Sequence, residues 1–507
     1  MQPLITFAIT AIALLAVTIG GCSVTPNPLT KAEIAIHAEE QVALVDAGQE
    51  PITGTIDLYQ AMARALKYNL DQKVEQMNAA LRAKELNLAH YSLLPSVVAN
   101  SGYTGRDNFA ASSSYNVLTN TQNFGASTSQ ERRITTADVE FSWNILDFGL
   151  SYIRARQAAD KHLIAKELRR KIIQRVVEDV RTAYWRSVSG ERLLRRLRRL
   201  EARVRRAQRA TRAIARERHT SPITAVTYER ELVEIKRAVQ ELERELVVAK
   251  AQLAALMNLK PGTKFALAQS RVGSKRITLN RSVRDMIWLA MNNRAELREV
   301  WYKKRINQNE LDAALLELLP GLQLYAGTNY DSNGFLYNNN WLKWGAKAGW
   351  NLLRVAQYPA KRQVIESQED LLDARGLALT MAVMTQVHVS RVRFIHFKKE
   401  MMTAMEFLNV QNRLIRLMRE EAKADRINEQ TLIREEMNTL VAEVKRDIAH
   451  ASLQNAFANV YASIGMDVYP ISEVSLDESV GTIAGALRTV WSKRGDGGAR
   501  TPRRRHN

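Results

Sequence analysis

The chain has 507 residues, 46% hydrophobic and 25% charged, with only 23 glycines and 11 prolines. That supplies a large core, and the scarcity of chain breakers points to long helices. The formal charge is +20, but the arginines sit among acids in helical stretches such as Glu201-Ala202-Arg203-Val204-Arg205-Arg206, the pattern of a solvated helix face, so no nucleic-acid partner is expected.

The chain opens with an address. Leu4 to Ile19 carries no charge and is 16 residues long, short for a membrane-spanning helix. It ends in Ile19-Gly20-Gly21-Cys22. Small residues before a cysteine match a lipoprotein cleavage pattern, which makes Cys22 the expected lipid anchor. The competing reading is an ordinary signal peptide with an incidental cysteine, and the lack of Lys or Arg in Met1-Gln2-Pro3 suits neither. Cys22 is the only cysteine, so no disulfide forms within the chain. Thr25-Pro26-Asn27-Pro28 reads as a tether.

A helix is predicted over Asp57–Leu93, then a weakly alternating strand over Val97–Thr104. The Ser/Asn/Thr-rich stretch Asn108–Ser129 reads as an exposed loop. Ala137, Val139, Phe141, Trp143 and Ile145 then alternate with polar residues, the mark of a strand with one apolar face. A helix from Leu150 to Arg218, with one interior glycine, Gly190, would be about 100 Å long. After it, Ser221 can cap and Pro222 can start a returning helix to Leu259. The series repeats: helix Ser282–Leu318, strand Leu322–Tyr330, alternating strand Leu342–Leu352, long helix Ala360–Ala424, an Asn428 cap, and helix Glu429–Ile464. The alternating strands are long enough to cross a membrane at a tilt; a soluble ribbon with one buried face shows the same alternation. Arg500–Arg505 reads as a disordered basic tail.

The two series are copies. Ala65-Leu-Lys-Tyr-Asn-Leu-Asp71 matches Ala290-Met-Asn-Asn-Arg-Ala-Glu296, and Leu93-Leu94-Pro95 matches Leu318-Leu319-Pro320, both 225 residues apart. Trp143-Asn144-Ile145-Leu146 matches Trp350-Asn351-Leu352-Leu353, and Asn258 matches Gly465, both 207 apart. The whole difference of 18 residues falls between Pro95 and Trp143, so one copy grew a loop. Two copies do not make a solenoid. The expected organisation is a signal peptide (1–21), a tether (22–54), a first repeat (55–278), a second repeat (279–467) and a C-terminal extension (468–507).

Two half-length helices stacked end to end would match one long helix, as a uniform helical cylinder requires. Each helix in such a wall packs on a neighbour at either side, so two apolar seams are expected on it. A long soluble coiled coil shares the composition. Four strands cannot close a membrane barrel, and an open sheet in lipid leaves costly unpaired edges. Strands that span therefore demand several chains.

No phosphate-cradling loop or nucleophile elbow occurs. His388, His396 and Glu400 are poorly spaced for a metal. Neither an enzyme, a cofactor nor a metal site is expected.

The order and spacing of Ala65–Asp71, Leu93-Leu94-Pro95-Ser96 and Trp143-x-x-x-Asp147-Phe148-Gly149, with strand pairs between helices, resembles the TolC-type outer membrane efflux family over residues 55–467. The resemblance implies a mainly α fold with a small β part: long antiparallel helices forming an α-barrel, and four strands per chain shared in a 12-stranded barrel of a homotrimer. It also implies outer membrane lipid around the strands, a periplasmic adaptor protein and an inner-membrane pump. Phe141, Trp143, Trp344 and Trp350 become membrane-strand aromatics. Glu429, Thr431, Arg434 and Glu435 become candidates for the periplasmic tip or gate. Departures are the absence of glycine at Arg218-His219 and Asp425-Arg426, and Arg354-Val355-Ala356-Gln357 in place of Asp-x-Gly. Arg434 and the net charge suggest a preference for anions. Within the family a polysaccharide or protein duct is the alternative cargo reading; outside it, an Arg-rich soluble coiled coil binding acidic polymers.

Overall fold

The computed structural model describes residues 26–45, 47–216, 222–268, 279, 281–424, 426–470 and 474–494. The chain divides into two compact units, Met1–Pro51 and Ile52–Asn507. In the first, helix α1 (Lys31–Leu44) starts at a capping box between Thr30 and Glu33 and buries no residue. Cys22 lies outside the described residues.

The second unit opens with β1 (Thr55–Ile56), α2 (Leu58–Tyr68) and α3 (Leu70–Tyr91). Asp57 caps α2, its carboxylate accepting the Gln60 amide at 2.8 Å. The single helix expected over Asp57–Leu93 is broken at Asn69, whose backbone is extended (φ −63, ψ 128). The Asn69 side chain accepts the Gln72 amide at 3.1 Å and so starts α3, a side-chain cap outcompeting helix continuation. Strands β2 (Ser96–Gly105), β3 (Ser112–Asn116), β4 (Thr121–Ser127) and β5 (Arg133–Asn144) follow. The expected loop is therefore itself a hairpin, β3 paired with β4. Its Ser, Asn and Thr content lacks the apolar alternation by which a strand is recognised.

Helix α4 (Ile145–Arg216) and helix α5 (Pro222–Leu256) complete the first copy. At 72 residues α4 is about 108 Å long. Ser221, the expected cap, lies outside the described residues. The second copy runs β6 (Ala266–Leu267), α6 (Val283–Asn293), α7 (Ala295–Leu316), β7 (Gly321–Asp331), β8 (Asn340–Gly349), α8 (Leu353–Lys423) and α9 (Glu429–Ser463), before a last helix α10 (Val480–Lys493). The predicted helix Ser282–Leu318 breaks at Arg294 (φ −69, ψ 129), the residue equivalent to Asn69 by the 225-residue offset. Here Nη1 of Arg294 binds the Ala462 carbonyl at 3.2 Å and Nη2 binds Oε1 of Gln386 at 2.9 Å. Asn258 and Gly465, matched in sequence, both take positive φ, 55° and 71°, and end their helices alike. A Cβ at Gly465 would stand 2.6 Å from the Asn293 backbone.

Helix α8 begins seven residues before the predicted Ala360 and includes Pro359. A proline so near the start removes one hydrogen bond, to the exposed Val355, which water can replace.

The principal sheet has the order β2-β5-β7-β8, antiparallel throughout. The central pair β5–β7 joins the two repeats. In the helical part α4 packs on α3 and α5 at one side and on α7 and α9 at the other, while α8 packs on α7 and α9. A core girdles the middle of the long helices. It gathers α2, α6, α10, the parallel β1–β6 pair, Ile173–Val188 of α4, and Ala449–Val460 of α9 with Ile464 just past its end. Trp491 of α10 is fully buried there, under the Arg181 guanidinium at 4.3 Å, a cation–π contact in a desolvated place.

Candidate functional site: the strand wall and the helix turns

The four-stranded sheet has two chemically distinct faces because side chains alternate. Register sets Val97, Phe141, Ala326 and Trp344 in one row across all four strands. The next row is Ala99, Val139, Thr328 and Leu342. This face is uncovered: Trp344 is 83% and Leu342 81% exposed. The opposite face carries Glu140 and Lys343, paired at 3.3 Å, and Asn100, whose amide donates to Asp138 at 2.9 Å. Strands of 10, 12, 11 and 10 residues match the 9–11 or so that a tilted membrane crossing takes.

Three of the four sequence-predicted aromatics lie in these strands. Phe141 and Trp344 share the apolar row. Trp143, two residues from Phe141, is half-buried and meets Phe148 edge-on at 5.6 Å. Trp350 is a correction: β8 ends at Gly349. The Trp350 indole instead donates to the Leu318 carbonyl at 2.9 Å and ties the strand end to the end of α7. Ile145 and Leu352 likewise fall outside the strands that alternation assigned them to. Apolar alternation runs on past the hydrogen-bonded ladder and so does not mark where a strand ends.

Both edges of this construction are unpartnered among the described residues. Strands β2 and β8 each pair on one side only. Helix α8 buries Val383, Val387, Phe394, Met401 and Leu408 against its own chain. On its other side Met381, Ile395, Met402 and Leu417 are exposed, at spacings that keep them on one line of a helix. At the opposite edge α3 exposes Val74, Met77, Leu81 and Leu88. The two seams expected of a wall helix are thus present on α8, one filled and one open.

At the far end of the long helices, Asn428 caps α9 by accepting the Thr431 amide at 2.8 Å. The candidate tip residues are engaged between helices. Glu429 lies 3.6 Å from Arg203. Glu435 accepts the Gln411 amide at 3.0 Å. Arg434 lies 3.6 Å from Glu231 of α5, so the charge that suggested an anion preference is offset at that point. The first-copy turn, with Arg218 and His219, lies outside the described residues, as does Asp425.

The α4–α9 seam is an ion-pair ladder that sequence reading missed. Arg192 pairs with Asp447, Arg196 with Glu443 (2.7 Å) and Arg203 with Glu436. The two residue numbers sum to the same value in each pair, as regular antiparallel helices require. Asp447 is buried and also accepts from Ser189 at 2.7 Å. In the girdle, burial pushes the Glu178 carboxyl up to about 7, the Asp179 carboxylate adding to the rise and the Asn459 hydrogen bond and Arg294 opposing it.

Among the described residues no cluster of three metal-binding side chains occurs, and no helix is long and apolar enough to cross a membrane.

The structure is similar to solved outer membrane channels. The Campylobacter jejuni CmeC outer membrane channel matches with a TM-score of 0.63 at 11% identity, over 94% of this chain and 97% of that one. The open state of the Neisseria gonorrhoeae MtrE outer membrane channel gives 0.62 at 14%, over 81% and 89%. The Vibrio cholerae outer membrane protein VceC gives 0.59 at 10%, over 81% and 96%. No family model matches the sequence, and no curated protein is significantly similar to it. At these identities the likeness is one of fold.

Proposed function

We propose that this chain, which has the fold of an outer membrane channel, is the outer membrane component of an efflux or export system. It would act as a passive duct, with energy supplied by an inner-membrane pump through a periplasmic adaptor. The observation that carries this reading is the pair of open edges. The strand sheet ends on β2 and β8. Because the four strands alternate in direction, β8 of one copy meets β2 of the next antiparallel, and a ring of copies closes with no free edge. Closure removes the edge cost that lipid imposes. The open apolar seam of α8 faces the same joint as the uncovered line on α3 and would extend it along the helices. Two copies give the smallest barrel known and three give 12 strands; the resemblance selects three.

In this reading Phe141, Trp143 and Trp344 belong to the membrane zone. Thr431, Arg434, Glu429 and Glu435 lie toward the periplasmic end, and Cys22 carries the lipid. Detergent-extracted protein, sized by light scattering and inserted in a planar bilayer, tests it. Trimers with steady conductance are expected, and the mass of the mature N-terminus reads acylation at Cys22. A water-soluble monomer without conductance sinks the duct.

A further inference from the structure

The arginines at the far end of α4 are not one solvated face. Residues 186–216 hold 12 arginines against two acids, and the structure sorts those it describes by direction. Arg192, Arg196 and Arg203 turn to α9 and pair with its acids. Arg198 and Arg212 turn the other way and pair with Glu243 and Glu229 of α5. Arg205 pairs along its own helix with Glu201 at 2.6 Å. Leu193, Leu197, Leu200 and Val204 are buried between those two neighbours. Arg186 remains, apart from the others, and so do Arg195, Arg199, Arg206 and Arg209. They are exposed and have no carboxylate partner among the described residues.

The positions of the last four form a pattern. Arg195, Arg199, Ala202, Arg206, Arg209 and Ala213 follow one another at spacings of 4, 3, 4, 3 and 4, the heptad interval at which one helix meets another along a continuous seam. All six are exposed. The seam covers 18 residue steps, about 27 Å of helix. Both lateral neighbours of α4 lie in its own chain, so the seam belongs to neither edge at which further copies join. Like charge excludes a second copy of the seam as its occupant.

We propose that this seam docks an acidic α-helix of a partner protein. The two alanines let a second backbone approach closely. Arg199 and Arg206 reach from either side of Ala202, and Arg209 from one side of Ala213, to carboxylates flanking the partner's own seam, where guanidinium and carboxylate meet in a two-pronged, charge-assisted contact. A flexible polyanion would be attracted by the same charge but has no use for heptad spacing or for the alanines. The copy-equivalent positions on α8, offset by 207, read Met402, Glu406, Asn409, Arg413, Arg416 and Glu420, so the surface is peculiar to the first repeat. The inference rests on the duct reading in that such a duct needs a periplasmic adaptor, and it supplies the chemistry by which one would dock.

The test uses the full chain in detergent and, as probe, a synthetic peptide of about four heptads with an alanine seam flanked by glutamates. Binding is expected to weaken with salt. Arg199→Glu with Arg206→Glu is expected to weaken it at least tenfold or so, the size of a lost charge-assisted contact. Ala202→Trp, which leaves every charge in place, is expected to weaken it comparably. Unchanged affinity in the charge-reversed protein overturns the proposal. So does equal competition by unstructured polyglutamate or polyphosphate together with tolerance of Ala202→Trp. Conductance of the same variants is expected to match the parent; a chain that conducts in no form defeats the duct reading separately.

Discussion

The two long helices are copies with nearly the same length, 72 and 71 residues, yet they do different work. Helix α4 is flanked on both sides by its own chain. Its lateral charges are spent on α5 and α9, and its exposed line is basic. Helix α8 has one side filled and the other open and apolar, with Met381 66% and Leu417 68% exposed. Residues 393–423, equivalent to the arginine-rich stretch, hold seven basic and four acidic residues. Duplication set the lengths and the returning helices. Position in the wall then decided what each surface could carry: polar pairs where the neighbour is always present, and apolar surface where the described chain supplies no neighbour.

The largest effect should come from spoiling the open side of α8. Met381→Asp with Leu417→Asp would bury two unpaired carboxylates at every joint between copies, at several kcal/mol each. Assembly read by light scattering should be lost. Arg206→Asp on the exposed line of α4 should leave it intact, and equal loss from both would erase the distinction drawn between the helices.

Next is the α4–α9 ladder. Asp447→Ala removes a buried acid and strands Arg192, and removing one partner of such a pair costs about 3–5 kcal/mol. The melting temperature of the detergent-solubilised protein should fall markedly. Gln240, the residue equivalent to Asp447 by the 207-residue offset, hydrogen-bonds Glu201 at the longer distance of 3.4 Å. Gln240→Ala should cost about 1 kcal/mol.

The smallest effect depends on pH. Glu178 has a native pKa raised to about 7 from an ordinary 4.5, so the native state holds its proton more tightly than the unfolded chain. Stability on this account is undiminished below the unfolded value and declines as pH climbs from there through about 7. Glu178→Gln should melt like the parent at pH 4 and be more stable at pH 8, by up to about 3 kcal/mol. The equivalent residue on α8 is Thr385, which does not titrate, so Thr385→Val should leave the pH profile unchanged. A parent profile that is flat across this range would remove Glu178 from the account.

Legibility in the sequence followed the range of the interactions. Both alternating strands, both returning helices and the Asn428 cap depend on residues a few positions apart, and they were readable. The breaks at Asn69 and Arg294 were not, although their shared offset lay in the aligned segments. Asn69 stops a helix with a local cap, but Arg294 does so through a carbonyl 168 residues away. The girdle was invisible for the same reason. It rests on contacts such as Lys67 with the Glu478 carbonyl at 2.7 Å and Arg488 with Asp57, more than 400 residues apart. Of the candidate site residues, Phe141, Trp143 and Trp344 were placed by alternation, which persists through a strand. Trp350 was misplaced because alternation does not mark where the ladder stops.

By itself the amino-acid sequence determined the period of each element, the duplication with its two offsets, and the great length of the helices. These follow from propensity and side-chain alternation, which act over a turn or a strand. Tertiary structure alone decided that β5 pairs with β7 and so joins the copies. It also decided that α4 is inside the wall and α8 at its edge, and which arginines of the α4 stripe are left without acids. Those outcomes depend on which distant surface each side chain meets, and a residue's charge or hydropathy does not name its neighbour.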